Sequence, residues 1–258
     1  MKLRLLLFVI TFFPLLTIAQ VIPSVKIGSQ TWMTKNLNVD RFRNGDPIPE
    51  AKSNQEWMAN DYIEVDKGIV TKEVTKPAWC YYNNNPANGA KYGKLYNWFA
   101  VIDPRGLCPA GWHVPSITEW FALEDYLGRA AGTKMKSTSG WESYMTGGLE
   151  TCPNCKSWNA EYRSKVPCHT CKDTREIYAK GFHSGNGTNE SGFAGLPGGG
   201  RLTDGAFFNL GMEGNWWSTK AYTDIAHHSF LSSSDDDDGL GLDVKDKNSG
   251  FSVRCLKD

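Results

Sequence analysis

The placement of cysteines constrains this chain more than any other feature. Four of the seven fall in "TCPNCKSWNAEYRSKVPCHTCKDTR" as two C-x-x-C pairs, Cys152/Cys155 and Cys168/Cys171, with twelve residues between them. Two such knuckles supply four thiolates, which suits a tetrahedral zinc ion. All four positions would then be filled, so the zinc would be structural and His169 a bystander. Zinc would organise a segment with almost no apolar core of its own. In an oxidising compartment the same four cysteines would pair as two disulfides, across the knuckles rather than within them. Spacing favours zinc and export favours disulfides. A thioredoxin-like role needs a helix start within a βαβ unit, and no such pattern is visible.

The first residues bear on that choice. "MKLRLLLFVITFFPLLTIA" carries Lys2 and Arg4, an apolar run from Leu5 to Ile18, and a small residue, Ala19. This is the layout of a secretory signal peptide cleaved near Ala19. The run is shorter than the roughly 20 residues that span a bilayer, and it contains Pro14. No later stretch spans either. The chain is therefore expected to be exported to the periplasm, cell surface or medium. Without residues 1 to 19 it has 26 basic and 28 acidic residues. Such a balance gives no bulk attraction to nucleic acid. The basic residues around the cysteine pairs, Lys156 and Arg163 among them, read as a solvated face.

Residues 20 to 258 read as one domain with a cysteine-rich insertion at 147 to 192. Ten tryptophans and 26 glycines, with few long apolar runs, point to a loop-rich fold built on large rings. "VKI" and "TWM" read as a hairpin turning at Gly28-Ser29. Residues 51 to 67 fit a helix at Trp57 or a strand at "YIEV". A strand is expected to about Tyr82, and a helix from Leu95 to Ile102. The clearest element is "HVPSITEWFALEDYLG". There Ser116 and Glu119 form a capping box, Trp120, Leu123 and Leu127 recur at helical spacing, and Gly128 ends the run. "HHSFL" and "GLDVKD" read as antiparallel strands about a Ser/Asp-rich turn, and "GFSVRCL" as a final alternating strand. Residues 232 to 243 lack the spacing of a calcium loop, so calcium is not expected. "GLPGGGR", Gly195 to Arg201, lacks the frame of a phosphate loop and reads as tight packing near Trp216 and Trp217. Those tryptophans read first as core. The alternative is a sugar-stacking platform with Arg201, which would make all three ligand-binding residues.

Seven phrases occur in order: "VKIGSQTWMTKNLNV", "WCYYNNNPANGAKYGKLYNWFAV", "LCPAGWHVPSITEW", "MKSTSGW", "SGFAGLPGGGR", "NWWST" and "GFSVRCLKD". Together they resemble the Fibrobacter succinogenes major paralogous domain family of exported bacterial proteins, from about Val25 to Asp258. The pattern W-H-V-P-S-x-x-E-W, a late W-W and a closing G-F-S-V-R-C is also similar, at the level of fold, to C-type-lectin-like domains and the formylglycine-generating enzymes. The resemblance implies an α+β, C-type-lectin-like mixed fold with short antiparallel strands, one or two helices and the zinc-ribbon-like insertion. By the same resemblance Cys108 is expected to pair with Cys255. Cys80 is then left over, as a small buried residue beside Trp79. A nucleophilic Cys80 with His113 is the sharper alternative. The function implied is non-enzymatic binding of a glycan or a surface protein, or a structural role. The rival is an exported enzyme of the formylglycine-generating type with a cysteine-based site.

Overall fold

Gly28 reverses the chain between the first two strands, β1 (Ser24–Ile27) and β2 (Gln30–Met33), in the computed structural model, which describes residues 21–59, 61–66, 69–151, 176–234 and 239–258. Its φ of 60° lies in the left-handed region. A Cβ there would stand 2.8 Å from the Tyr126 ring, so glycine meets both demands of the turn. Residues 1 to 19, read above as a signal peptide, and the four clustered cysteines lie outside the described residues.

The ambiguous stretch after residue 51 contains both expected elements in succession. Helix α1 (Asn54–Met58), capped by Ser53, is followed by β3 (Asp61–Asp66), which pairs antiparallel with β4 (Ile69–Thr75). Strand β5 (Trp79–Cys80) is shorter than expected, because a 3-10 turn takes over at Tyr82–Asn84. Helix α2 (Pro86–Tyr92) follows, with Pro86 in its first turn. The expected helix from Leu95 to Ile102 is divided. Leu95 and Tyr96 form β6, paired with β5, and only Trp98–Val101 is helical, as α3. Asn97 sets that boundary. Its Oδ1 accepts from the backbone N–H of Ala100 (3.1 Å), capping the helix, and from that of Ala78 (2.9 Å) across the fold.

Next come β7 (Trp112–His113), α4 (Ile117–Leu127) and α5 (Ala131–Met135). The capping box of α4 is present as read. Ser116 Oγ accepts from Glu119 N at 3.3 Å, and Glu119 Oε2 accepts from Ser116 N at 2.7 Å. Such a cap stabilises by about 1 kcal/mol. The region read as an insertion with little periodicity, residues 147 to 192, contains most of one long strand and all of another. These are β8 (Tyr144–Thr151) and β9 (Glu176–His183), antiparallel in register from Tyr144↔His183 to Thr151↔Glu176. Both strands are rich in glycine and polar residues, which hides the period in the sequence.

The last third builds a five-stranded sheet. Its members are β10 (Gly198–Arg201), β11 (Phe207–Leu210), β12 (Glu213–Ala221), β13 (Ile225–Ser232) and β14 (Gly241–Asp246), in spatial order β11-β10-β12-β13-β14. The β10–β12 contact is parallel and the other pairs are antiparallel. The strands expected at "HHSFL" and "GLDVKD" are present as β13 and β14. A second sheet, β1-β2-β15-β7, joins the first described strands to β15 (Leu256–Lys257).

"GFSVRCL" is not an alternating strand. Every residue from Ser249 to Leu256 is buried, because this segment threads between the two sheets and finds backbone partners on both sides. Phe251 exchanges hydrogen bonds with Tyr96, Trp217 N donates to Ser252 O, Leu37 N to Val253 O and Met33 N to Cys255 O. Rings fill the space around it. Trp32 and Trp120 lie 4.6 Å apart, with Phe193 and Trp216 closing the cluster against α4. Truncating one such buried tryptophan typically costs about 3–5 kcal/mol. The fold is thus α+β with strands predominating. Its helices among the described residues number five rather than one or two, but only α4 exceeds two turns. No helix among the described residues is long and apolar enough to cross a membrane.

Candidate functional site

Burial decides what the residues singled out in the sequence can do. Arg201, Trp216 and Trp217 are each 0 % exposed. Trp216 and Trp217 are consecutive on the central strand β12 and so point to opposite faces of the sheet, and both faces are covered there. Trp216 Nε1 donates to Asn36 Oδ1 (2.8 Å), and Trp217 Nε1 to Tyr96 O (2.7 Å). The Arg201 guanidinium lies over the rings of Trp57 and Phe207. It donates to the backbone carbonyls of Gly205 and Ala51 and to Asn54 Oδ1. A ligand arriving from solvent reaches none of the three, so the expected ligand contact gives way to packing.

Cys108 and Cys255 are joined as a disulfide, with their Cα atoms 6.1 Å apart. Cys80 is a free thiol, 1 % exposed among Ala51, Trp57 and Leu95. Burial pushes its pKa up to about 11, against a smaller opposing pull from the Arg201 charge. The proposed partner His113 is committed elsewhere. Its Nδ1 is 2.7 Å from Asp258 Oδ1 and its Nε2 is 2.9 Å from Glu119 Oε1. The two residues are not a nucleophile and its base. No group of three or more His, Cys, Asp or Glu among the described residues is placed to hold a metal.

A groove of about 350 Å³ opens on the five-stranded sheet instead. The strand register assembles it. Asn215 pairs with Phe230, His228 with Asp243 and Phe230 with Gly241, so alternate residues of β12, β13 and β14 share one face. Glu213 and Asn215, His228 and Phe230, and Asp243 and Lys245 all line the groove. Phe208, Asn209 and Leu202 close its far side. Glycine makes room for the rings. A Cβ on Gly241 would stand 2.3 Å from the Phe230 ring, and one on Gly200 2.7 Å from that of Phe208.

The groove mixes apolar walls with hydrogen-bonding groups. Asn215 Nδ2 donates to Glu213 Oε2 at 3.3 Å. His228 is 2 % exposed, and its ring stacks on Phe251 at 4.5 Å. Burial drives its pKa down to about 4, although the Asp243 charge pulls upward. The imidazole is therefore neutral at physiological pH. Its Nδ1 is buried without a hydrogen-bonding partner in the structure. Such an arrangement offers donors, acceptors and aromatic faces but no activated nucleophile.

Sequence reasoning located β13 and β14, but neither the long central strand β12 nor the groove. The period-2 pairs at 213/215, 228/230 and 243/245 are visible in the sequence. Their alignment depends on register, which a single chain does not reveal.

A disulfide-tied, strand-rich α+β domain with a small mixed-polarity groove is the class defined by fold and site. The chain belongs to the Fibrobacter succinogenes major domain family, whose family model matches residues 25–257. Comparison with curated proteins and with solved structures gave no match.

Proposed function

We propose that the protein is an exported, non-enzymatic domain of C-type-lectin-like architecture that binds a glycan or a protein of the bacterial surface. The observation that carries the reading is the groove on the five-stranded sheet, where aromatic walls meet amide, carboxylate and neutral imidazole groups. Three features support the fold assignment. A capped helix carries Glu119-Trp120 at its start, a disulfide ties the segment before it to Cys255 beside the last strand, and β15 pairs with β2 near the beginning of the described chain. Export is supported by the apolar leader and by the disulfide, which persists in oxidising compartments. The sealed state of Cys80 weighs against the formylglycine-generating-type enzyme, which needs a reactive thiol.

The test is retention of glycans on an array, and of envelope proteins from a bacterial extract, by the immobilised exported chain. Saturable binding of either class is expected. Failure of both, together with a thiol that reacts rapidly at neutral pH, would replace this reading with the enzymatic one.

The cysteine cluster is proposed to hold a structural zinc through Cys152, Cys155, Cys168 and Cys171. The Thr151↔Glu176 pairing supports this, since it brings the two ends of the intervening segment together. Native mass spectrometry should find one zinc per chain, removed by chelator. A metal-free mass short of four hydrogens at these cysteines would show two disulfides instead.

A further inference from the structure

We propose that the groove lined by Phe208, Phe230 and Asp243 is a site for a single ring of a neutral saccharide, an assignment that rests on the binding-domain reading above. Size is the first reason. A folded protein partner typically covers about 800 Å² of surface on each side. A cavity of about 350 Å³ stands instead at the small end of ligand pockets, which run from about 300 to 1,000 Å³. It admits a ring-sized molecule.

The chemistry of the lining is the second reason. Phe208 and Phe230 present apolar ring surface, which matches the C–H face of a pyranose. Asn209, Glu213, Asn215 and Asp243 present amide and carboxylate groups. A sugar hydroxyl is both donor and acceptor, so it can satisfy either kind. Glu213, Asn215 and Phe230 sit at adjoining register positions, on strands whose geometry is held by the sheet. Groups fixed in this way lose little freedom when a ligand binds.

Charge separates a neutral sugar from its anionic relatives. Glu213 and Asp243 outnumber Lys245 on the lining, and the buried His228 is uncharged. A phosphate, sulfate or uronate would meet repulsion from the carboxylates. His228 adds an independent sign of a missing partner. Buried polar atoms are nearly always paired, and Nδ1 of this groove-lining, 2 % exposed residue is not. Because Nδ1 is sealed from solvent, a hydroxyl in the groove completes it only when the His228 ring turns toward the groove.

The experiment is calorimetric and NMR titration of the exported chain with neutral mono- and disaccharides, alongside a uronate and an amino sugar as charged controls. Asp243→Ala and Phe230→Leu are tested in parallel. The first is an exposed side chain and the second keeps an apolar residue, and thermal melts establish that both fold. At least one neutral sugar should bind, and each variant should weaken it about tenfold or more, as loss of a charge-assisted hydrogen bond or a stacking face does. Equal binding by wild type and both variants overturns the groove assignment and leaves the binding-domain reading in place. Preference for the uronate or the amino sugar overturns the neutral class. No sugar bound, with envelope protein still retained, overturns the saccharide assignment alone. No binding in either assay overturns both.

Discussion

The Oδ1 atom of Asn36 accepts hydrogen bonds from Nε (3.1 Å) and a terminal nitrogen (2.6 Å) of Arg254, 218 residues away. The same oxygen accepts from Trp216 Nε1 at 2.8 Å. Arg254 is fully buried, and no carboxylate among the described residues pairs with it. Its charge rests on the Asn36 dipole, the Phe193 carbonyl and the face of the Phe193 ring 4.2 Å away. Burial lowers its pKa to about 9, so it stays protonated at neutral pH. Asn36→Leu should therefore cost about 3–5 kcal/mol, the usual penalty for stranding a buried charge. That corresponds to roughly 10 °C in melting temperature for a chain of this size. Arg254→Met removes charge and need together and should cost less. Thermal melts that reverse this order would contradict the account.

The Cys108–Cys255 bridge spans 147 residues and ties the approach to α4 to the threaded final segment. Closing a loop of that length restricts the unfolded chain by about 5 kcal/mol. The double variant Cys108→Ala/Cys255→Ala should lower the urea midpoint accordingly. Both half-cystines are nearly inaccessible, at 2 % and 0 % exposure. Reductant alone should thus leave the bridge intact until denaturant is added, as counted by thiol labelling.

Cys80 should behave as an inert core residue. A thiol with a pKa near 11 is thiolate to only about one part in ten thousand at pH 7. Iodoacetamide should modify it at the rate of global opening, not faster. Rapid labelling of the native protein at pH 7.5 would revive a catalytic thiol.

His113 sits between two carboxylates, and this couples stability to pH. Desolvation pulls its pKa down, but the hydrogen bonds to Asp258 and Glu119 outweigh it, leaving the value above the ordinary 6.5. Its contribution is therefore complete below about pH 6.5 and fades as pH rises through the raised value. Glu119 moves the other way. Desolvation raises it, yet the Ser116 and His113 contacts leave it below the ordinary 4.5. Its share is present above about pH 4.5 and fades as pH falls through the lowered value. A neutral imidazole has one N–H and cannot donate to both carboxylates, so the clasp loses an arm on the alkaline side. Urea midpoints should be highest between about pH 5 and 6.5, and His113→Gln should flatten the alkaline limb. An unchanged limb in that variant would place the dependence elsewhere.

Local chemistry was legible wherever it is short-range. The Ser116–Glu119 capping box, the Gly28 turn and the β13 and β14 segments appear where their residues announce them, since caps, turns and alternation are set within a few positions. Long-range pairing was not legible. The Leu95–Ile102 stretch divides because Asn97 is engaged by Ala78, and β8 and β9 pair across the whole cysteine-rich segment. The Cys108–Cys255 bridge came from family resemblance rather than from spacing, as seven cysteines do not reveal their partners.

By itself the sequence determined the family, the α4 cap and a ring-rich core. Tertiary structure alone decided which side of that core each residue meets. Trp216 and Trp217 were open to being core or platform until both faces of β12 proved covered. "GFSVRCL" alternates in sequence but is buried throughout, because two sheets clasp it. The groove exists only because register sets Asn215, His228, Phe230 and Asp243 on one face. Burial and register are sums over contacts between distant segments, and no window of neighbouring residues contains them.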